Sequence, residues 1–350
     1  MAHGEPEILI SRSGSSGHIR LNRPKALNSL TLAMVRDIDA ALDAFAADPE
    51  IAVVVLTGEG ERGLCAGGDI RAIHQSGKEG SMLAEQFWRE EYRLNARIAW
   101  FPKPYVAIMD GIVMGGGVGL SSHASHRVVT DRTRLAMPET GIGFFPDVGA
   151  SWLLSRPGSE WGTYLGLTGT QIGAADAIAA GLADWNVNHD RLEELLQQLS
   201  QLPAGSAVEA VDAAIDRFSE QQPLGATGEM TDTIERAFSH ATIEEILAAL
   251  EAYGSTFAAA TRALLLTKSP VSLKVTLKML LLGRASATLE ECLAREFAAT
   301  PAVLTSHDFY EGVRAAVIDK DRNPHWRPAT LAEADAYIDA YFTSHPRPLY

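Results

Sequence analysis

Three short segments of this 350-residue chain combine residue types that could carry chemistry. Two are rich in glycine: Leu64–Ile70 contains a glycine pair, and Asp110–Gly119 contains a run of three glycines. The third, Met137–Gly149, holds the carboxylates Glu139 and Asp147, flanked by Pro, Gly, Phe and Met. A carboxylate in apolar surroundings has a raised pKa and can exchange a proton near neutral pH. These residue types predict a site that combines backbone N–H donors with acid–base chemistry.

Each glycine-rich segment follows a run of residues typical of a strand. Glycine lets the backbone approach a ligand closely because no Cβ intervenes. The N–H groups at the start of a helix are unsatisfied and can bind negative charge, and the segment around Gly116 is predicted to open a helix. Two such loops could hold the oxyanion formed when a thioester carbonyl is attacked, each donor contributing about 3 kcal/mol. A plain tight turn is the alternative interpretation of Leu64–Ile70.

Other chemistries fit these residues poorly. No Gly-Lys-Ser/Thr follows the glycine run, and Leu120 takes the last position of Gly-x-Gly-x-x-Gly, so both nucleotide-binding patterns fail. A Gly-x-Ser-x-Gly elbow, which many serine hydrolases need, does not occur. The thiol of Cys65 is predicted to pack rather than to react. For the carboxylates, a loop position for Glu139 and a helix N-cap role for Asp147 stay open as alternatives.

Composition and charge narrow the class of protein. The chain is 46% apolar and 21% charged, as in globular proteins, and its net charge of −14 disfavours nucleic acid as a partner. No run approaches the roughly 18 apolar residues of a membrane helix. Cys65 and Cys292 lie far apart and predict neither a disulfide framework nor a metal site. Met1–Ser16 lacks an apolar run and is not rich in arginine, so we expect a cytoplasmic protein.

Strand and helix patterns alternate in the first half of the chain and indicate an α/β architecture. Strands are predicted at Ile51–Thr57, Tyr105–Met109 and Arg127–Thr130, with a helix over Thr31–Ala46 capped by Thr31. After Asp190 helical patterns dominate. They cover Leu192–Leu202, Ala207–Phe218, Thr242–Tyr253, Phe257–Leu266, Ser269–Leu282 and Thr288–Thr300, and a mobile loop is expected at Gln221–Met230. We therefore expect two domains, 1–195 and 196–350.

Together these segments resemble the crotonase (enoyl-CoA hydratase/isomerase) superfamily, and more specifically its 3-hydroxyisobutyryl-CoA hydrolase branch. The resemblance covers essentially the whole chain. Its motifs are the three segments above together with Leu21–Leu30, Phe87–Tyr92, Leu167–Gly169, Ala177–Asp184, Ser306–Arg314 and Ile318–Pro324. The last two are features of the branch rather than of the superfamily.

The resemblance implies a fold, an activity and roles for individual residues. The fold would be of the ClpP/crotonase type, a spiral of ββα units followed by a helical C-terminal region. The backbone N–H groups of Gly68 and Gly116 would form the oxyanion hole, and Glu139 and Asp147 would be the catalytic carboxylates. Arg23 and Lys25 would lie near the CoA phosphates. The remaining substrate-binding residues would be Leu27, Cys65, Ala66, Gly67, Asp69, Ile70, Gly115 and Glu91.

The implied reaction is hydrolysis of 3-hydroxyisobutyryl-CoA, or of a similar short 3-hydroxyacyl-CoA, to the free acid and CoA. No cofactor or metal would be needed, since CoA is part of the substrate. Members of the superfamily commonly form trimers, so a homo-oligomer is possible, and the family name implies a role in valine breakdown. Glu139 would either activate a water or attack the carbonyl itself, and the residues leave both open.

One departure from the wider family separates the competing reactions. Hydratases of the superfamily carry a second glutamate two positions after the glycine run, where this chain has Gly119. Hydration of a C=C bond in that family uses two carboxylates around one water, so Gly119 disfavours it. The alternatives are an enoyl-CoA hydratase or isomerase of the same superfamily and a non-catalytic acyl-CoA-binding relative.

Overall fold

The computed structural model describes residues 5–155, 158–220, 225–226 and 228–350. The chain forms two compact units, each assembled from separate stretches of sequence. The first comprises the described residues within Met1–Gly68, Arg93–Leu135 and Ile172–Gly225, and the second those within Asp69–Tyr92, Ala136–Gln171 and Ala226–Tyr350. Each unit contains residues from both sides of residue 195. The division into domains 1–195 and 196–350 stays a prediction.

A six-stranded sheet lies in the first unit. Its strands are β1 (Ile8–Ser13), β2 (Ser16–Leu21), β3 (Val53–Gly58), β5 (Tyr105–Met109), β7 (His126–Val129) and β9 (Trp185–Asn186), adjacent in that order. β1 and β2 pair antiparallel, whereas the other neighbours are parallel. The three strands predicted from apolar runs are confirmed to within two residues at each end, because strands covered on both faces are apolar throughout.

One hydrophobic core cluster of this unit packs against the six-stranded sheet. Val53, Val55 and Val106 pack there against Leu195 and Leu199, and all five side chains are buried. Burying an aliphatic side chain of this kind stabilises the fold by roughly 1.5–3 kcal/mol. This packing holds the parallel strands of the six-stranded sheet together.

A second sheet has three short strands, β4 (Gly63–Cys65), β6 (Ile112–Met114) and β8 (Arg134–Ala136), in that order. β4 and β6 are parallel, so their carboxyl ends meet at one edge. The glycine pair follows β4 after one residue, Ala66, and the glycine run follows β6 directly. This small sheet therefore places both glycine-rich segments side by side.

Sixteen α-helices occur in the described part of the chain. They are α1 (Leu32–Ala47), α2 (Ile70–Glu79), α3 (Leu83–Ala99), α4 (Gly116–Ser121), α5 (Ala150–Leu153), α6 (Trp161–Thr168), α7 (Ala174–Ala179), α8 (Leu192–Ser200), α9 (Val208–Asp216), α10 (Glu229–Ala237), α11 (Ile243–Tyr253), α12 (Thr256–Leu265), α13 (Pro270–Arg284), α14 (Leu289–Thr305), α15 (His307–Val313) and α16 (Leu331–Ile338). Thr31 caps α1 as predicted, its hydroxyl accepting a 3.2 Å hydrogen bond from Met34 N.

The six helices predicted after Asp190 are confirmed as α8, α9 and α11–α14, with ends within five residues of those expected. Half of the loop expected at Gln221–Met230 lies outside the described residues, and its last two residues belong to α10. No described helix is long and apolar enough to cross a membrane.

Aromatic rings organise the second unit around α3. The Trp88 ring stacks on Phe144 with centroids 5.6 Å apart, and Tyr92 meets Phe297 edge-on at 6.3 Å. Phe144 also contacts Phe309 at 6.1 Å. These contacts bring α3, α14 and α15 to the segment that carries the two predicted carboxylates.

Candidate active site

The two glycine-rich segments of the first unit touch each other. A Cβ added to Gly67 would lie 3.6 Å from the Gly116 nitrogen, and one added to Gly117 would lie 2.5 Å from the Cys65 carbonyl oxygen. A side chain at Gly117 would therefore clash with backbone, so glycine is required there. The close approach aligns the Cys65–Gly68 stretch with the start of α4.

The N-terminus of α4 is well suited to receive negative charge. Gly115, the N-cap residue, has φ 50° and ψ −121° and provides no side chain to accept hydrogen bonds from the first turn. Gly116 and Gly117 are buried. First-turn N–H groups have no partner within their own helix, so these amides are available to an anionic oxygen. The oxyanion role of Gly68 and Gly116 stays a prediction that this geometry supports.

Most of the predicted CoA-binding residues of the first unit lie on two loops that are joined by a hydrogen bond. Ala66 N donates to the Leu27 carbonyl at 3.0 Å, which joins the two predicted binding loops. Arg23 forms an ion pair with Glu7 at 3.0 Å, so part of its charge is already neutralised. Lys25 is exposed. Of the two cations expected near the CoA phosphates, Lys25 is therefore the more accessible.

The side chains of the Cys65–Ile70 stretch have local structural roles. Cys65 is fully buried, and its Sγ accepts a hydrogen bond from Gly67 N at 3.4 Å, so the thiol is unavailable as a nucleophile. Asp69 is the N-cap of α2, accepting from Ala72 N at 3.4 Å, and Ile70 is the first residue of that helix. These contacts shape the loop, and its contact with CoA stays a prediction.

Glu139 begins a short 3-10 helix, Glu139–Ile142, in the second unit. Its side chain is buried, and Oε2 has no hydrogen-bond partner among the described residues. Burial raises the pKa of Glu139 well above its usual range, and the nearby charge of Asp147 raises it further. A buried carboxyl oxygen without a partner costs stability, which is typical of a group that meets a ligand.

Asp147 is held by a tyrosine rather than by a helix end. The Tyr92 hydroxyl donates a 2.7 Å hydrogen bond to Asp147 Oδ2. Burial raises the pKa of Asp147 to about 7, and the bond from Tyr92 opposes that rise because it favours the ionised form. Gly149, not Asp147, is the N-cap residue of α5, so the helix-cap interpretation of Asp147 is wrong.

Glu91, on α3, is the third carboxylate of this group. It is 2% exposed, and Oε1 has no hydrogen-bond partner in the described part of the chain. Burial raises the pKa of Glu91 well above its usual range, and the charges of Asp147 and Glu139 add to the rise. The structure thus brings Glu91, Glu139 and Asp147 together. Three buried carboxyl groups this close cannot all be ionised at neutral pH.

Two buried residues near these acids were not predicted as site residues. Tyr92 belongs to a motif noted in the sequence, but nothing local marks it as the partner of Asp147. Glu296, on α14, is completely buried and binds the backbone after Asp147. Glu296 lies about 150 residues after Asp147 in the chain, and a contact between such remote segments produces no local pattern in the sequence.

Two further observations complete the description of the site. Gly119 is buried within α4, so the position of the second hydratase carboxylate offers no side chain. No three His, Cys, Asp or Glu side chains among the described residues are grouped so that they could hold a metal ion.

Comparisons with known proteins identify the family and several relatives of this chain. The family model described as enoyl-CoA hydratase/isomerase matches residues 16–342. The chain is 44% identical over 344 residues to a Danio rerio protein named 3-hydroxyisobutyryl-CoA hydrolase, mitochondrial, covering 97% of this chain and 90% of that one. The Homo sapiens protein of the same name is 42% identical over 332 residues, covering 93% and 86%.

Solved structures share the fold. A Mycobacterium thermoresistibile protein, titled a carnitinyl-CoA dehydratase, has a TM-score of 0.93 and 44% identity, covering 99% of both chains. A Rhodobacter sphaeroides protein, titled an enoyl-CoA hydratase, has a TM-score of 0.86 and 40% identity, covering 99% of this chain and 100% of that one. These similarities confirm the predicted crotonase-type α/β fold.

The comparisons also correct one expectation. The cytoplasmic location inferred from Met1–Ser16 is contradicted by the curated relatives, which are named as mitochondrial proteins. The expectation rested only on the residue types of Met1–Ser16, and these were too little to predict the cellular location. In sequence and in fold, the chain belongs to the enoyl-CoA hydratase/isomerase family, the crotonase superfamily.

Proposed function

We propose that this protein hydrolyses the thioester of 3-hydroxyisobutyryl-CoA, or of a similar short 3-hydroxyacyl-CoA. Curated relatives named for this hydrolase match nearly the full length of the chain. The observation that carries the proposal is the buried carboxylate of Glu139, which has a raised pKa and an oxygen without a partner among the described residues. Such a group can receive a proton from water or attack a carbonyl.

The proposed reaction begins with attack on the thioester carbonyl carbon. The carbonyl oxygen becomes an oxyanion that accepts hydrogen bonds from Gly68 N and Gly116 N. In one route Glu139 takes a proton from the attacking water; in the other it attacks directly and forms a mixed anhydride, which water then opens. In both routes the C–S bond breaks, and the thiolate leaves with a proton as CoA. The same carboxylate serves either route.

The other two acids have supporting roles in this proposal. Asp147, fixed by Tyr92, orients the acyl hydroxyl or the water, or supplies the proton to the thiolate. Glu91 lines the acyl site. No metal or redox cofactor takes part in the proposed steps, and CoA is part of the substrate.

The proposal extends to binding and context. CoA would lie against Leu27 and the Cys65–Ile70 stretch, with Gly115 at the acyl end and Lys25 and Arg23 near the phosphates. A trimer-type homo-oligomer and a role in valine breakdown are parts of the proposal that come from the family resemblance.

Hydration of an enoyl-CoA is the second candidate, and the names of two proteins with similar structures, a carnitinyl-CoA dehydratase and an enoyl-CoA hydratase, favour it. The buried Gly119 opposes it, because the second carboxylate of the hydratases would stand at that position. Hydrolysis, which needs one carboxylate beside the carbonyl, fits the chain better.

The proposal is tested at Glu139. E139Q keeps the shape of the side chain but removes the base, so we expect release of CoA to fall by at least about 10³-fold while calorimetric binding of CoA changes little. The control is E251Q on α11, where the side chain is exposed. Substantial hydrolysis by E139Q would exclude Glu139 as the catalytic group.

A further inference from the structure

Glu296 is a buried carboxylate that the proposed reaction does not use. It lies on α14 with 0% exposure and accepts three hydrogen bonds. Gly149 N donates to Oε2 at 2.7 Å, and Ser151 donates to Oε1 from its N at 2.9 Å and its Oγ at 2.6 Å. Both donor residues follow Asp147 closely in the chain. Glu296 therefore binds the backbone that carries a proposed catalytic acid.

The backbone between Asp147 and these donors has an unfavourable conformation. Val148 has φ 54° and Gly149 has φ 82°, so both lie in the left-handed region. Glycine adopts this region readily, but a β-branched residue such as valine does so rarely and at a cost of about 1–3 kcal/mol. Such a conformation persists only where surrounding contacts hold it. The bonds from Gly149 and Ser151 to Glu296 provide that hold.

The helix of Glu296 also supports the other contact of Asp147. Phe297, the next residue, packs against the ring of Tyr92, whose hydroxyl donates to Asp147. Asp147 is thus fixed from two directions by neighbouring residues of α14: through the backbone by Glu296, and through the tyrosine by Phe297. A change at Glu296 should therefore reach the Asp147 carboxylate.

The carboxylate at position 296 is costly. Burial raises the pKa of Glu296 to about 7, and the charge of Asp147 contributes to the rise. A neutral side chain would avoid both penalties, but it could not accept three hydrogen bonds on two oxygens. The cost is offset where the three donors hold an otherwise unfavourable turn.

We propose that Glu296 is a positioning residue of the active site, which holds the Asp147 carboxylate in place through the Val148–Ser151 backbone. The inference rests on the proposed function only in that Asp147 is taken to act on the acyl group. Glu296 itself touches backbone and Ser151, not substrate.

A crystal structure of E296Q tests the positioning directly. Glutamine has nearly the same shape, but its amide group donates where a carboxylate oxygen accepted, so at least one of the three bonds is lost. We expect Val148 to leave the left-handed region and the 2.7 Å distance from Tyr92 Oη to Asp147 Oδ2 to exceed 3.5 Å. S151A, which removes one donor only, should cause a smaller change. An unchanged turn in both variants would overturn the proposal.

Kinetics of E296Q, D147N and the double variant test whether Glu296 acts through Asp147. We expect E296Q to lower kcat about 10- to 100-fold with KM within about twofold, because small displacements of catalytic groups have effects of this size. In the D147N background, E296Q should add little further loss. A merely structural role would instead multiply the two losses. E291Q, an exposed change in the first turn of α14, is the control.

The two proposals fail in different ways. A wild-type protein that releases no CoA would refute the proposed function, and the crystal structures of E296Q and S151A would still decide the role of Glu296. If the wild type is active but the kcat losses of E296Q and D147N multiply in the double variant, the role of Glu296 is refuted and the proposed function is not.

Discussion

At the scale of single residues, the site is a group of carboxyls whose ionisation is set by burial and by one another. Asp147 has a pKa of about 7, well above its unfolded value of roughly 4. Its contribution to stability is therefore fully present below about pH 4 and is lost as the pH rises through 7. Charge on Asp147 raises the pKa of Glu139 and Glu91, so ionisation of Asp147 disfavours ionisation of the other two acids.

Y92F should raise the pKa of Asp147. The Tyr92 hydroxyl stabilises the ionised carboxylate, and its own pKa is raised well above the usual range by burial and by Asp147, so it remains a donor. A hydrogen bond to a charged group contributes about 1.5–3 kcal/mol, equivalent to a shift of about one to two pKa units. Carbon-13 NMR titration of the aspartate carboxyl carbons, assigned with D147N, measures the shift.

The control for Y92F is Y105F. The Tyr105 hydroxyl is also buried but has no hydrogen-bond partner among the described residues, so its removal should leave the titration of Asp147 unchanged. A midpoint for Asp147 that stays constant or falls in Y92F would show that the hydroxyl does not stabilise the carboxylate.

The sequence predicted Glu139 and Asp147 but not the residues that hold them. The apolar residues that flank these two acids are their neighbours in the sequence, so the sequence alone reveals them. The contact of Tyr92 with Asp147 spans 55 residues and that of Glu296 with Gly149 spans 147, so both depend on tertiary packing. Supporting residues of this kind become visible only in the folded chain.

At the scale of elements, α15 packs directly on the turn that begins with Glu139. A Cβ added to Gly312, on α15, would lie 2.3 Å from the carbonyl carbon of Ile142. On the other side, a Cβ at Gly143 would lie 2.1 Å from the Asp308 carbonyl oxygen. The two glycines allow backbone to lie against backbone. The branch motif Ser306–Arg314 therefore has a physical role as the support of the Glu139 turn.

G312A should disturb that support. Because the nearest atoms belong to backbone, the turn or the helix must move, and overpacking of this kind typically costs about 1–3 kcal/mol. We expect a lower free energy of unfolding and a fall in kcat of about tenfold or more, measured by denaturant titration and by CoA release. G173A is the control, since its Cβ would meet only the Thr133 carbonyl oxygen, at 4.0 Å. Wild-type activity in G312A would contradict the role of α15.

Local sequence patterns predicted some helices and strands correctly and misplaced the ends of others. The apolar run at Tyr105–Met109 and the cap at Thr31 predicted their elements correctly. The helix predicted to end at Thr300 continues to Thr305 with Pro301 inside it. Its buried face, which includes Val303, continues past the proline, so tertiary packing outweighs the local tendency of proline to end a helix.

At the scale of the whole molecule, two units interleave along the chain. The sequence changes character once, near residue 190, and a single change of pattern cannot reveal that separate stretches return to the same unit. The family resemblance supplied the fold that local patterns could not. It also implied an oxyanion role for Gly68 and Gly116, which stays a prediction; the structure adds the close approach of their loops.

We propose that the protein cleaves a thioester rather than hydrating a double bond. The most direct test is the release of free thiol from (S)-3-hydroxyisobutyryl-CoA, measured with a thiol-reactive dye, beside crotonyl-CoA followed by its conjugated absorbance. We predict rapid release of CoA from the first substrate and no change in the second. Loss of the crotonyl absorbance without free thiol would show a hydratase and would contradict both the proposed reaction and the interpretation of Gly119.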